Sequence, residues 1–132
     1  MSFLFTSEGP KGKIEKLILF QATHIKNVFN LAFGDINTLT KEIDDSIVSN
    51  NGDSSRVLIT VAAAVYTFTE TNKQSLIYLK GSTRSRTRLY QMGISRYLQE
   101  KSRNFVILAE VKGDWVNFER QLNCESFLVS RK

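Results

Sequence analysis

The apolar positions of the chain fall into short runs whose spacing alternates between strand-like and helix-like. Lys13 to Ala22 (KIEKLILFQA) and Ile25 to Phe33 (IKNVFNLAF) are apolar-rich runs of strand length, with a hairpin turn expected near Thr23-His24. Gly34-Asp35 breaks the pattern, and Glu42 to Ser49 (EIDDSIVS) resumes it, with Ile43 and Ile47 on one face if the segment is extended. Asn50-Asn51-Gly52 is a turn signal, because Asn and Gly tolerate positive φ.

Asp53 to Thr71 (DSSRVLITVAAAVYTFTET) carries an apolar run too long for one strand, with three alanines in its middle. Leu58, Val61, Val65 and Phe68 recur there at helical spacing, and Asp53 or Ser54 can cap the start, so a helix is predicted. Ser75 to Lys80 (SLIYLK) reads as a short strand closed by Gly81, followed by a second helix from about Thr83 to Ser102. At about 100° per residue, Tyr90, Ile94, Tyr97 and Leu98 share one side while Arg84 and Arg88 lie together away from it. Arg86 falls nearer the apolar side, so it is either buried and paired or not yet helical.

Phe105 to Val111 and Trp115 to Phe118 flank the hairpin turn Lys112-Gly113-Asp114, and Ser126 to Ser130 makes a last strand. The expected order is βββ-α-β-α-βββ, an α+β protein with two helices packed on a largely antiparallel sheet. The 132 residues contain no repeat, low-complexity tract or linker, and suit a single globular domain over 1–132.

Charge adds a second layer to this pattern. The net charge is +5, unevenly placed: Lys80 to Arg103 holds seven basic residues and one acid, whereas Asp35 to Asp53 holds five acids and one base. One cysteine, Cys124, cannot form an internal disulfide, and with one histidine, His24, the chain lacks the ligand set of a structural zinc site. The N-terminus MSFLFTSEGPKGK has an apolar run far short of a signal peptide or membrane span, so a cytoplasmic protein without a membrane partner is expected.

Several blocks, LAFGD (31–35), EIDDSIVSNNGD (42–53), VLITVAAAVYTFT (57–69), GSTRSRTRLYQMGIS (81–95), GDWVNFE (113–119) and ESFLVSRK (125–132), together resemble a family of small uncharacterised bacterial proteins, mostly from Bacteroidetes. The resemblance covers nearly all of the chain beyond the first dozen residues. It implies one full-length bacterial domain, and it supplies no activity and no catalytic residues.

A strand ending in Gly81-Ser82-Thr83 and leading into a helix presents unpaired N–H groups and the positive end of the helix dipole. Gly81 would let a ligand approach the backbone, Ser82 and Thr83 would add hydroxyl donors, and Arg84, Arg86 and Arg88 could grip a phosphate through forked bonds. Arg96, Lys101 and Arg103 would extend the positive field, and Trp115, beside a hairpin turn, is a candidate platform for stacking a base. The plainer alternative is that Ser82 or Thr83 only caps the helix, Arg84 and Arg88 are solvated, and Arg86 pairs with Asp44 or Asp45. The segment is no Walker loop, and no cofactor is called for.

The leading expectation is a phosphate-recognising module that binds RNA or DNA. A rival is an enzyme acting on a phosphodiester or nucleotide, a ribonuclease-like toxin for example, with His24 or an acidic set of Asp35, Glu42, Asp44 and Asp45 as its catalytic group. A third is a protein-interaction subunit in which the acidic and basic segments neutralise each other or dock on a charged partner.

Overall fold

The structure, a computed structural model, describes residues 2–10, 12–36, 43–44, 54–81, 83–99, 104–119 and 121–132. Strands β1 (Ser2–Gly9), β2 (Gly12–Ala22), β3 (Val28–Ile36) and the two-residue β4 (Ile43–Asp44) precede helix α1 (Ser54–Thr71). Strand β5 (Leu76–Leu79) leads into helix α2 (Arg84–Gly93), which continues as a π-helical segment over Ile94–Gln99. Strands β6 (Phe105–Val111), β7 (Asp114–Asn117) and β8 (Ser126–Arg131) complete the order.

All these strands join one sheet, in the order β1-β2-β3-β5-β8-β6-β7, with β4 added to β3. Every pairing is antiparallel except that of β3 with β5. The result is the expected α+β arrangement, two helices on a largely antiparallel sheet in the order βββ-α-β-α-βββ, with β4 as a short addition to the third strand.

Alternation decides which side chains are buried. Ile18, Phe20, Leu31, Phe33, Ile77, Ile107, Phe127 and Val129 point to one face and form the core with Val61, Val65 and Phe68 of α1 and Tyr90 of α2. Ring contacts tie the layers: Phe20 stacks on Phe68 with centroids 4.2 Å apart, and Phe29 meets Phe68 edge-on at 5.0 Å. Each such side chain contributes about 1.5–3 kcal/mol through burial, which is why the helical spacing within 53–71 overrides the strand character of VLITV.

Three local features depart from the sequence pattern. Strand β1 carries no period-2 signal, because Phe3, Leu4 and Phe5 are all apolar, yet Phe3 and Phe5 turn inward onto Phe20 and Phe33 while Leu4 stays exposed. Gly34-Asp35 does not break β3: Lys16, opposite Asp35 across the ladder, donates to its carboxylate and lets the strand run on to Ile36. Of the predicted strand 42–49, Ile43 and Asp44 pair with β3, while Glu42, Asp45, the rest of that strand, the turn at 50–52 and the cap Asp53 lie outside the described residues.

The turns follow their residue chemistry. In the β2–β3 loop, Asn27 takes φ 65° and Thr23 Oγ1 donates to Val28 O at 2.8 Å. At the β6–β7 hairpin, Lys112 and Gly113 both have positive φ, 53° and 85°, as a two-residue turn between twisted strands requires.

Candidate anion-binding cleft

The basic segment is divided between the core and the surface by its helical position. Thr83 caps α2, its side-chain oxygen accepting from the N–H of Arg86 at 3.2 Å. Arg86 is turned inward with 5% exposure, its guanidinium 5.4 Å from the Phe33 ring centroid and donating to Phe33 O at 2.7 Å. Strand β5 pairs only with Val28–Asn30 of β3 and β4 only with Asp35–Ile36, so Phe33 lies in a stretch that neither covers, and Arg86 satisfies its carbonyl. Arg86 therefore leaves the set of phosphate-binding candidates.

Gly81 also has a different role from the one expected. Its N–H donates to Thr87 Oγ1 at 3.1 Å, and a Cβ built on it would lie 2.4 Å from the Thr87 backbone nitrogen. The glycine admits the helix against the end of β5 rather than a ligand against the backbone.

Arg84 and Arg88, one turn apart on the exposed side of α2, open onto a cleft of about 1080 Å³. Lys80 and Gly81 line it from the end of β5, and Thr83, Thr87, Gln91, Met92, Ser95 and Arg96 from the helix. The opposite wall is Val111 and Lys112 of the β6–β7 hairpin and the segment from Gln121 to Glu125. Gln91 fixes that wall to the helix by donating from Nε2 to Leu122 O at 2.7 Å.

The π-helical segment brings Arg96 into this site. In a continuous α-helix, 100° steps would rotate Leu98 toward the cleft and Arg96 away from Arg84. The wider π turn advances each residue by less, so Leu98 stays over the core with Tyr90 and Ile94, and Arg96 remains on the cleft side.

Among the described residues, five cations, Lys80, Arg84, Arg88, Arg96 and Lys112, thus share one cleft with a single acid, Glu125. The ion pairs among the described residues are Lys13–Glu8 and Lys16–Asp35, so none of the five is neutralised by a described acid. No acidic residue occupies the first turn of α2 to offset the arginines against the dipole. Lys80 and Lys112 join from outside the helix, and only the paired ends of β5 and β6, bridged by β8, bring them there.

The remaining candidates lie elsewhere. His24 is in the loop before β3, and since β3 runs parallel to β5 with Val28 opposite Leu76, it sits at the far end of the sheet from Gly81, roughly 16 Å away along the strand. Asp44 pairs with Asp35, whose carboxylate is held by Lys16. Trp115 is exposed but lies on the sheet face opposite the helices, its ring edge-on to Tyr78 at 6.4 Å. Ser82, Lys101 and Arg103 lie outside the described residues.

Cys124 lines the cleft as a buried thiol, Sγ donating to Leu122 O at 3.6 Å. Burial pushes its pKa above the ordinary thiol value, which keeps it protonated and unreactive at neutral pH. Among the described residues no three His, Cys, Asp or Glu side chains converge as metal ligands, and no helix is long and apolar enough to cross a membrane.

Fold and cleft together define a small α+β protein with one concentrated basic site. The chain belongs to the family described as "Family of unknown function (DUF6934)", which matches it over residues 1–132. No curated protein and no solved structure matches it.

Proposed function

We propose that the protein is a nucleic-acid-binding module whose cleft holds the phosphate backbone of RNA or DNA. The observation that carries this reading is the set of five cations, drawn from the end of β5, α2, the π-helical segment and the β6–β7 hairpin, around a cleft with one acid among the described residues. Concentrating like charge raises the free energy of the empty site, and a polyanion that displaces counterions recovers it. A volume of about 1080 Å³ lies at the upper end of small-molecule sites, room for more than one nucleotide.

Among the described residues the apolar side chains lining the cleft are Met92, Val111 and Leu122, without an aromatic ring, so contacts fall on phosphate and sugar and sequence preference is weak. Glu125 is the one carboxylate there among the described residues, His24 is remote, and the Cys124 thiol is held protonated, which favours binding over phosphodiester cleavage. The lone unpaired cysteine and the resemblance to bacterial proteins speak for a bacterial cytoplasmic setting.

Fluorescence anisotropy with labelled single- and double-stranded RNA and DNA tests the reading. Wild type should bind at low salt and weaken at physiological salt, and the Arg84→Ala/Arg88→Ala double variant should lose about tenfold or more. Equal affinity in the double variant would remove the site, and no binding even at low salt would remove the function.

A further inference from the structure

The two walls of the cleft carry different chemistry. Arg84, Arg88 and Arg96 stand on the helix side, and the segment from Gln121 to Glu125 faces them with the amides of Gln121 and Asn123 and the carboxylate of Glu125. Asn123 and Glu125 are exposed while Cys124 between them is buried, so both polar side chains stand on the open side. This wall is fixed to the rest of the fold by Gln91, which donates to Leu122 O at 2.7 Å, and by the Glu125 N–H, which donates to Glu110 O at 2.9 Å.

Phosphate binding alone leaves Glu125 without a role. Among the described residues its carboxylate forms no ion pair, although five cations line the same cleft. Glu110, on the neighbouring strand, has its carboxylate occupied by Ser126 at 2.8 Å. An ionised carboxylate only accepts hydrogen bonds, and so do phosphodiester oxygens, so the backbone charge of a nucleic acid repels Glu125 unless another group of the ligand meets it. The sugar of RNA supplies such a donor in its 2′-hydroxyl, and the sugar of a DNA strand supplies none.

We propose that Glu125 accepts a hydrogen bond from a ribose 2′-hydroxyl, and that the cleft thereby selects RNA over DNA. The inference rests on the nucleic-acid reading of the cleft and narrows it to one sugar. Phosphates lie along Arg84, Arg88 and Arg96, and the sugars turn to the opposite wall. The 2′-hydroxyl is donor and acceptor at once, so it gives its proton to Glu125 and accepts from the amide of Asn123. DNA keeps the phosphate contacts but sets a C–H group against the carboxylate, which then loses water without gaining a partner.

Anisotropy at low salt with labelled oligouridylate, its 2′-deoxy counterpart and its 2′-O-methyl counterpart tests the selection, because base and phosphate are the same in all three. Wild type should bind the ribose form about tenfold more tightly than either of the others, since the methyl ether keeps the oxygen and loses the proton. Glu125→Ala should bring the ribose and deoxy forms within about twofold, chiefly by tightening the deoxy form, while Glu125→Gln, which keeps an acceptor without the charge, should retain part of the preference. The wild-type comparison needs no variant, so a misfolded substitution leaves the test intact. Tight but equal binding of the ribose and deoxy forms by wild type would overturn the sugar selection and leave nucleic-acid binding standing. A preference that Glu125→Ala does not change would overturn the role of Glu125. No binding of any of the three would overturn the function and the inference together.

Discussion

Arg84 and Arg86 are two positions apart, yet the helix turns one to solvent and the other into the core. Arg86→Ala removes the donor to Phe33 O and a cation over its ring, and should cost about 2–3 kcal/mol by urea denaturation. Arg84→Ala should stay within about 0.5 kcal/mol, as exposed positions do. Equal losses would contradict the division of the arginine run. Gly81→Ala should cost about 1–3 kcal/mol, since its Cβ would meet the Thr87 backbone rather than a flexible side chain. For Cys124, burial raises the folded pKa, so the folded state keeps its proton after the unfolded chain has lost it. The associated stability is complete below the ordinary thiol pKa and is lost as pH rises through the raised one. Alkylation by iodoacetamide should accordingly be slow at neutral pH and accelerate only in alkali or on unfolding; fast labelling of the folded protein at neutral pH would contradict the burial.

At the scale of the element, α2 is a helix whose charge opposes its own dipole. Exposed Arg84 in the first turn costs roughly 0.3–1 kcal/mol, and no acid stands beside it. Arg84→Glu should therefore raise stability by about 1 kcal/mol in low salt while weakening nucleic-acid binding, a trade that marks a site kept for a ligand. Thermal unfolding and anisotropy on the same variant check both halves, and a variant that binds as well as wild type would place the anion elsewhere. The helix itself was legible in the sequence: the stripe Tyr90, Ile94, Leu98 set the buried side, and Arg86 could be seen to fall toward it. Its interruption was not, because the four-residue spacing of Tyr90, Ile94 and Leu98 suits an α-helix as well as the π-helical winding over Ile94–Gln99.

Across the whole molecule, the alternating runs gave the architecture because burial on one sheet face enforces them, and they failed where a polar residue was satisfied at long range. Asp35 looked like a break until Lys16, nineteen residues earlier, was placed opposite it. The candidate site was half readable for the same reason. Arg84 and Arg88 follow from local spacing, whereas Arg96 joins them through the π-helical winding and Lys80 and Lys112 through strand order, and His24 and Trp115 are removed by it. The central claim is that cations from separate elements act on one polyanion in one cleft. The measurement that tests it most directly is the salt dependence of single-stranded RNA binding for wild type, Arg88→Ala and Lys112→Ala. With three to five phosphates engaged, the slope of log K against log salt should be about −2 to −3.5, and each substitution should reduce it by about 0.7. A flat salt response, or a slope that Lys112→Ala leaves unchanged, would contradict a shared site.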